Sequence, residues 1–97
     1  MPTYVSLFKF TDQGMKNVKG TVDRTKQSRA AIEKAGGRMA AIYWTQGQYD
    51  LVAISEWPDE EAAMAFILQL GMAGNVRMET LRAFDEAAMQ RILAKVP

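Results

Sequence analysis

Neither cysteine nor histidine occurs anywhere in the 97 residues. Without cysteine there is no disulfide framework, no thiolate nucleophile and no sulfur ligand for zinc. Without histidine the chain lacks the commonest general base near neutral pH and the commonest metal ligand. It also lacks every Ser-His or Cys-His nucleophile arrangement. Chemistry would fall to carboxylates, tyrosines, lysines or a bound cofactor; no metal site is expected, and no cofactor is assigned. Long apolar runs are missing too: none approaches the ~20 residues that cross a bilayer. Residues 1–10 carry their lysine at the wrong end for a secretory leader and offer no small-residue cleavage site. A chain of this kind is expected in the cytoplasm, with no membrane partner. Phosphate-cradling loops are likewise absent, since Gly36-Gly37 follows a helical stretch instead of preceding one.

The formal net charge is only +1, but its distribution is uneven. Residues 1–40 hold eight Lys/Arg against three Asp/Glu, and residues 41–97 hold four against eight. Most of the excess lies between Lys16 and Arg38. No aromatics interleave with those cations as stacking platforms would, so a solvated helix face is expected there and no nucleic-acid partner.

What the chain does have is β-rich alternation broken by glycine. Thr3 to Phe10 alternates as a first strand, with Tyr4, Ser6, Phe8 and Phe10 on one side. Asp12 to Lys19 reads as a turn or a short helical piece, weakened by Gly14 and Gly20. A helix from a Thr21 cap to about Ala35 follows, with Val22, Thr25, Arg29 or Ser28, and Ile32 as its inward stripe; Gly36-Gly37 ends it. Arg38–Thr45 and Tyr49–Trp57 form two strands around a turn at Gly47. Pro58-Asp59-Glu60-Glu61 opens a second long helix, with Ala63, Phe66, Ile67 and Leu70 facing inward. Asn75–Phe84 is a more polar edge strand. Asp85 caps a last helix running through Lys95, with Met89, Ile92, Leu93 and Val96 as its apolar stripe.

The order β-α-β-β-α-β plus a terminal helix specifies a single α+β domain over residues 1–97, the ferredoxin-like arrangement. Two right-handed crossovers give a four-stranded antiparallel sheet in the order 4-1-3-2, with both long helices on one face. The two central strands carry bulky apolar groups on both sides. One side is covered by the chain's own helices; the other would expose more apolar surface than a monomer usually tolerates. Face-to-face pairing of two copies is the simplest cover, so a homodimer, or a higher oligomer built from it, is expected.

The segment Gly47-Gln48-Tyr49-Asp50, the ending Glu56-Trp57-Pro58-Asp59 and the run Gly74 to Phe84 together resemble the GYD-domain family of small bacterial proteins. Lys9-Phe10-Thr11-Asp12-Gln13-Gly14 and Arg24 also fit that pattern. The resemblance spans nearly the whole chain and implies a ferredoxin-like fold of the dimeric α/β-barrel kind. It implies no particular reaction.

Candidate ligand-binding residues are Arg24, Trp44, Tyr49, Asp50 and Arg82, and Asp50 and Tyr49 are also the candidates for proton handling. Strand alternation puts Tyr49 and Asp50 on opposite faces. Asp50 either anchors a ligand, with Arg24, Arg29 or Arg82 as its cation, or bonds local amides at the end of the hairpin, as Asp commonly does near turns. Tyr49 and Trp44 are pocket walls or packing groups. Arg77 and Arg82 fall on opposite faces and read best as a charged edge that resists aggregation. The expected function is a homo-oligomeric small-ligand-binding or accessory protein taking a small apolar ligand. The alternatives are a cofactor-free monooxygenase- or isomerase-like enzyme acting on a small apolar molecule, and a purely structural assembly subunit.

Overall fold

A computed structural model describes all 97 residues, Met1–Pro97. Strand β1 (Thr3–Phe10) leads into a short helix α1 (Asp12–Lys16), a single 3-10 turn (Val18–Gly20) and helix α2 (Thr21–Lys34). Strands β2 (Arg38–Trp44) and β3 (Leu51–Glu56) form a hairpin. Helix α3 (Glu60–Ala73), strand β4 (Val76–Ala83) and helix α4 (Glu86–Leu93) complete the chain. The sheet order is β2-β3-β1-β4, with every neighbouring pair antiparallel. This is the ferredoxin-like α+β topology, with β1 and β3 in the centre.

The element ends follow local chemistry. Asp59 accepts a hydrogen bond from the Ala62 amide at 2.8 Å, and Asp85 does the same for Ala88 at 2.8 Å. Each carboxylate thereby satisfies one amide that the first helical turn leaves without a partner. Gly74 ends α3 at φ +85°, and Gly47 takes φ +109° in the hairpin, conformations that glycine adopts without a Cβ clash. The expected Thr21 cap is not formed. Gly20 occupies that position, Thr21 is already helical, and its hydroxyl instead accepts from the Trp44 indole at 3.1 Å. The 3-10 turn has advanced the helix start by one residue.

Strand parity sorts the two faces. Tyr4, Ser6, Phe8 and Phe10 of β1 lie beneath the helices with Leu51, Ala53 and Ser55 of β3. Strand β2 joins them only because Ala40 is an extra residue: Met39 pairs with Ser55 and Ala41 with Ile54, so Met39 and Ile42 both face the helices. The opposite face carries Val5, Leu7, Val52, Ile54, Leu81 and Tyr43, the last 67% exposed. No helix of the chain covers it.

The dry core is small and sits at one end of the helix-covered face. Ile32, Trp57 and Ala63 are fully buried, with Tyr4, Met39 and Phe66 packed around them. The Trp57 and Phe66 rings meet at 5.2 Å, a tilted aromatic contact. Of the inward stripe expected on α2, Thr25 and Ile32 are buried and Val22 is exposed. The Ala63, Phe66, Ile67 and Leu70 face of α3 turns towards the sheet as expected. Helix α4 is joined to the body only near its first turns, where Ala88 and Arg91 border a shallow groove with Met1–Thr3 and Arg82–Phe84. It ends at Leu93, short of the expected Lys95; its apolar residues Met89 and Leu93 stay exposed, as does Val96 beyond its end. No helix is long and apolar enough to cross a membrane.

Candidate functional site

Between the sheet and the two long helices lies a cavity of about 350 Å³. Its floor is Tyr4, Ser6, Phe8 and Phe10 with Leu51 and Ala53; α3 supplies Phe66, Ile67 and Leu70. The first half of α2 is different in kind, with Thr21, Arg24, Thr25, Gln27 and Ser28 before the apolar Ala31 and Ile32. Short polar side chains cannot reach across to the sheet as Leu or Phe would, and that is why the core stays open here. A small-ligand-binding protein of this fold is expected to hold its cavity between the sheet and either the helices or a partner sheet, and the space found is on the helix side. The signal was available in the inward stripe of the helix, where Thr25 and Ser28 stand at positions a packed core would give to large apolar groups.

Arg24 is the one charged residue on the cavity wall. Its Nη1 donates to the Asn17 carbonyl at 2.8 Å, which fixes the guanidinium against the 3-10 turn. Its Nη2 is buried and has no acceptor on the protein. Trp44 faces the helices but holds its indole on Thr21, outside the cavity lining.

The other candidates lie elsewhere. Asp50 is absorbed by backbone. Its Oδ2 accepts from the Phe10 amide at 2.8 Å, its own amide donates to the Phe8 carbonyl at 2.7 Å, and its carbonyl accepts from the Thr45 amide at 2.8 Å. No arginine pairs with it: the ion pair formed in this molecule joins Arg38 to Glu56 at 2.6 Å. Tyr49 is on the open face, the reverse of the side shared with Leu51 that strict alternation predicts. The strand begins only at Leu51, so the chain before it is free to turn. The Tyr49 hydroxyl donates to Glu79 at 2.9 Å, and the Lys9 ammonium sits 5.5 Å from the ring centre. That hydrogen bond to Glu79 raises the phenol above its ordinary range; partial desolvation and the Glu79 charge act in the same direction. Arg82 lies over the rings of Tyr4 and Phe84 and donates to the carbonyls of Thr3 and Ala83, beside the cavity floor but not part of its lining. Arg24 is therefore the only one of the five that lines the cavity, and Tyr49 and Asp50 do not meet there.

The motif residues do converge, but on a structural knot. Thr11 donates through its amide to the Asn75 carbonyl (3.1 Å) and through its hydroxyl to the Gly74 carbonyl (2.6 Å), while Gln13 donates to the Ala73 carbonyl (3.0 Å) and to the Asn75 side chain (3.1 Å). Asp50 ties the hairpin to the same end of β1. The GYD domain family matches residues 4–93. The chain belongs to that family. Among its relatives, this GYD protein is 32% identical over 88 residues to the glutamine synthetase and cystathionine beta-lyase binding protein of Thermus thermophilus. That alignment covers 90% of this chain and 93% of the relative. The crystal structure of TTHA0845, also from Thermus thermophilus, superposes with a TM-score of 0.54 at 29% identity, covering 88% of this chain and 95% of that one.

Proposed function

We propose that this GYD protein is an accessory protein that works by binding, as a dimer of two face-to-face sheets, with another protein as its client and the cytoplasm as its compartment. The observation that carries this reading is the open sheet face. Val5, Leu7, Val52, Ile54 and Leu81 form a contiguous apolar surface that no element of the chain covers. The weakly attached α4, with its exposed apolar stripe, is suited to lap over the second copy. The Thermus relative, named as a binding protein for two enzymes, supports a protein client.

Sedimentation equilibrium at micromolar concentration tests the assembly. Twice the 10.8 kDa chain mass, or a multiple of it, is the expected result, and a clean monomer overturns the dimer. Co-migration of the purified protein with glutamine synthetase or with cystathionine beta-lyase on a sizing column tests the client class.

A second reading, a site for a small apolar molecule, rests on the cavity. Its volume falls at the lower end of the ~300–1,000 Å³ typical of small-molecule sites. A purely structural subunit gains nothing from such a space. The cofactor-free enzyme reading loses its proposed proton handlers, because Asp50 and Tyr49 are occupied outside the cavity.

A further inference from the structure

We infer that the cavity binds an apolar molecule bearing one carboxylate, with Arg24 as the group that receives the carboxylate. This rests on the small-molecule reading above and is independent of the dimer and of the protein client.

Three observations lead to it. The walls are dominated by aliphatic and aromatic side chains, including Phe8, Phe10 and Phe66, which suits an apolar body. One cation and no carboxylate stand among them. The guanidinium is held in place through Nη1 on the Asn17 carbonyl, while Nη2 is shielded from solvent and meets no acceptor. A buried donor on a charged group is costly to leave unpaired, and nearly all such groups in native proteins have a partner. The protein supplies none, although Thr21, Thr25 and Ser28 lie on the same helix. An anionic oxygen entering from the cavity would complete the set with a charge-assisted hydrogen bond.

The anchored geometry also limits the anion. With Nη1 committed to Asn17, Nη2 is the nitrogen left unpaired, and a small turn of the guanidinium towards the cavity would let it meet a single small anionic head. The aromatic floor leaves no second cation to balance a more highly charged group. A fatty or arylalkyl monocarboxylate fits this arrangement; a phosphate ester, a dicarboxylate or a polyol does not.

Calorimetric titration of the intact protein with decanoate and with decanol tests the assignment. The two probes share an apolar body and differ in the head. The wild type should bind decanoate about 10- to 100-fold more tightly than decanol, the range expected of one charge-assisted hydrogen bond made out of water. In Arg24→Gln, decanoate should fall to the affinity of decanol, while decanol binding stays as in the wild type and so reports an intact cavity. Equal affinities in the wild type would overturn the role of Arg24 yet leave the small-molecule reading standing. No binding of either probe would overturn both. Should Arg24→Gln fail to fold, the wild-type ratio still decides, together with the Arg24 side-chain nitrogen resonances. A shift of those resonances with decanoate alone supports the contact, and an unmoved guanidinium refutes it.

Discussion

At the scale of single residues, the aspartate at the end of the motif Gly47-Gln48-Tyr49-Asp50 is a stitch in the backbone. Its carboxylate closes the end of β1 through the Phe10 amide. Asp50→Ala strips that half-buried amide of its acceptor and should cost about 1–3 kcal/mol of unfolding free energy, whereas Asp50→Asn, which keeps an oxygen there, should cost less. Urea denaturation of the two variants measures the difference. Tyr49 makes a different kind of prediction. Its folded pKa is raised, so the protonated phenol is favoured by the fold. The associated stability is complete below the unfolded value near 10 and drains away as pH climbs through the folded value. Glu79→Ala removes the first cause of the shift. It should bring the Tyr49 titration, followed by ring-carbon NMR, back towards the ordinary range and flatten the loss of stability in alkali. The dual reading of Asp50 was visible in the chain because Asp beside a turn has few alternatives to bonding amides. The side on which Tyr49 falls was not, since alternation holds only inside a strand and β3 starts two residues later.

At the scale of elements, α1 is the piece that sequence patterning left undecided. Five residues are too few for a helix to stand on propensity. It is held by its contacts with the loop between α3 and β4. A Cβ added at Gly14 would lie 1.9 Å from the Asn75 carbonyl oxygen, with the backbone carbon behind it at 2.9 Å. Gly14→Ala sets a helix-propensity gain of at most about 1 kcal/mol against a backbone collision. The collision should win, lowering stability by about 1–3 kcal/mol, as overpacking does, and a thermal melt would report it. Caps and glycine stops were legible because each acts on its own few neighbours: Asp59, Asp85, Gly36-Gly37 and Gly74 all behave as their positions suggest. The knot between Gln13 and Asn75 joins positions 62 residues apart, and no local pattern announces it. The cavity was legible only in part. Periodicity puts Thr25 on the inner side of α2 and leaves Ser28 as an alternative to Arg29, but the space these residues leave depends on how far the helix stands from the sheet.

At the scale of the molecule, only 8 of 97 residues are buried, too few for a chain of this length to have spent its apolar surface on itself. The sheet order and the two apolar faces followed from element order and strand parity, and so did the expectation of a second copy. Ile54 lies at the middle of the open face, between Val5 and Ala41 on the flanking strands. Ile54→Lys should leave the fold and the cavity intact while shifting sedimentation to the mass of one chain, because a solvated ammonium there costs a lone subunit little and a sealed sheet pair a great deal. Retention of the dimer by that variant would move the interface elsewhere. One small residue bends the outer strand. Ala40 is extra to the pairing, so Met39 still meets Ser55 and Ala41 still meets Ile54 whether or not it is there. Deleting it would straighten that edge while leaving Ile42 above the cavity floor and Tyr43 on the open side, so the chain can lose a residue at this point without either surface being rewritten.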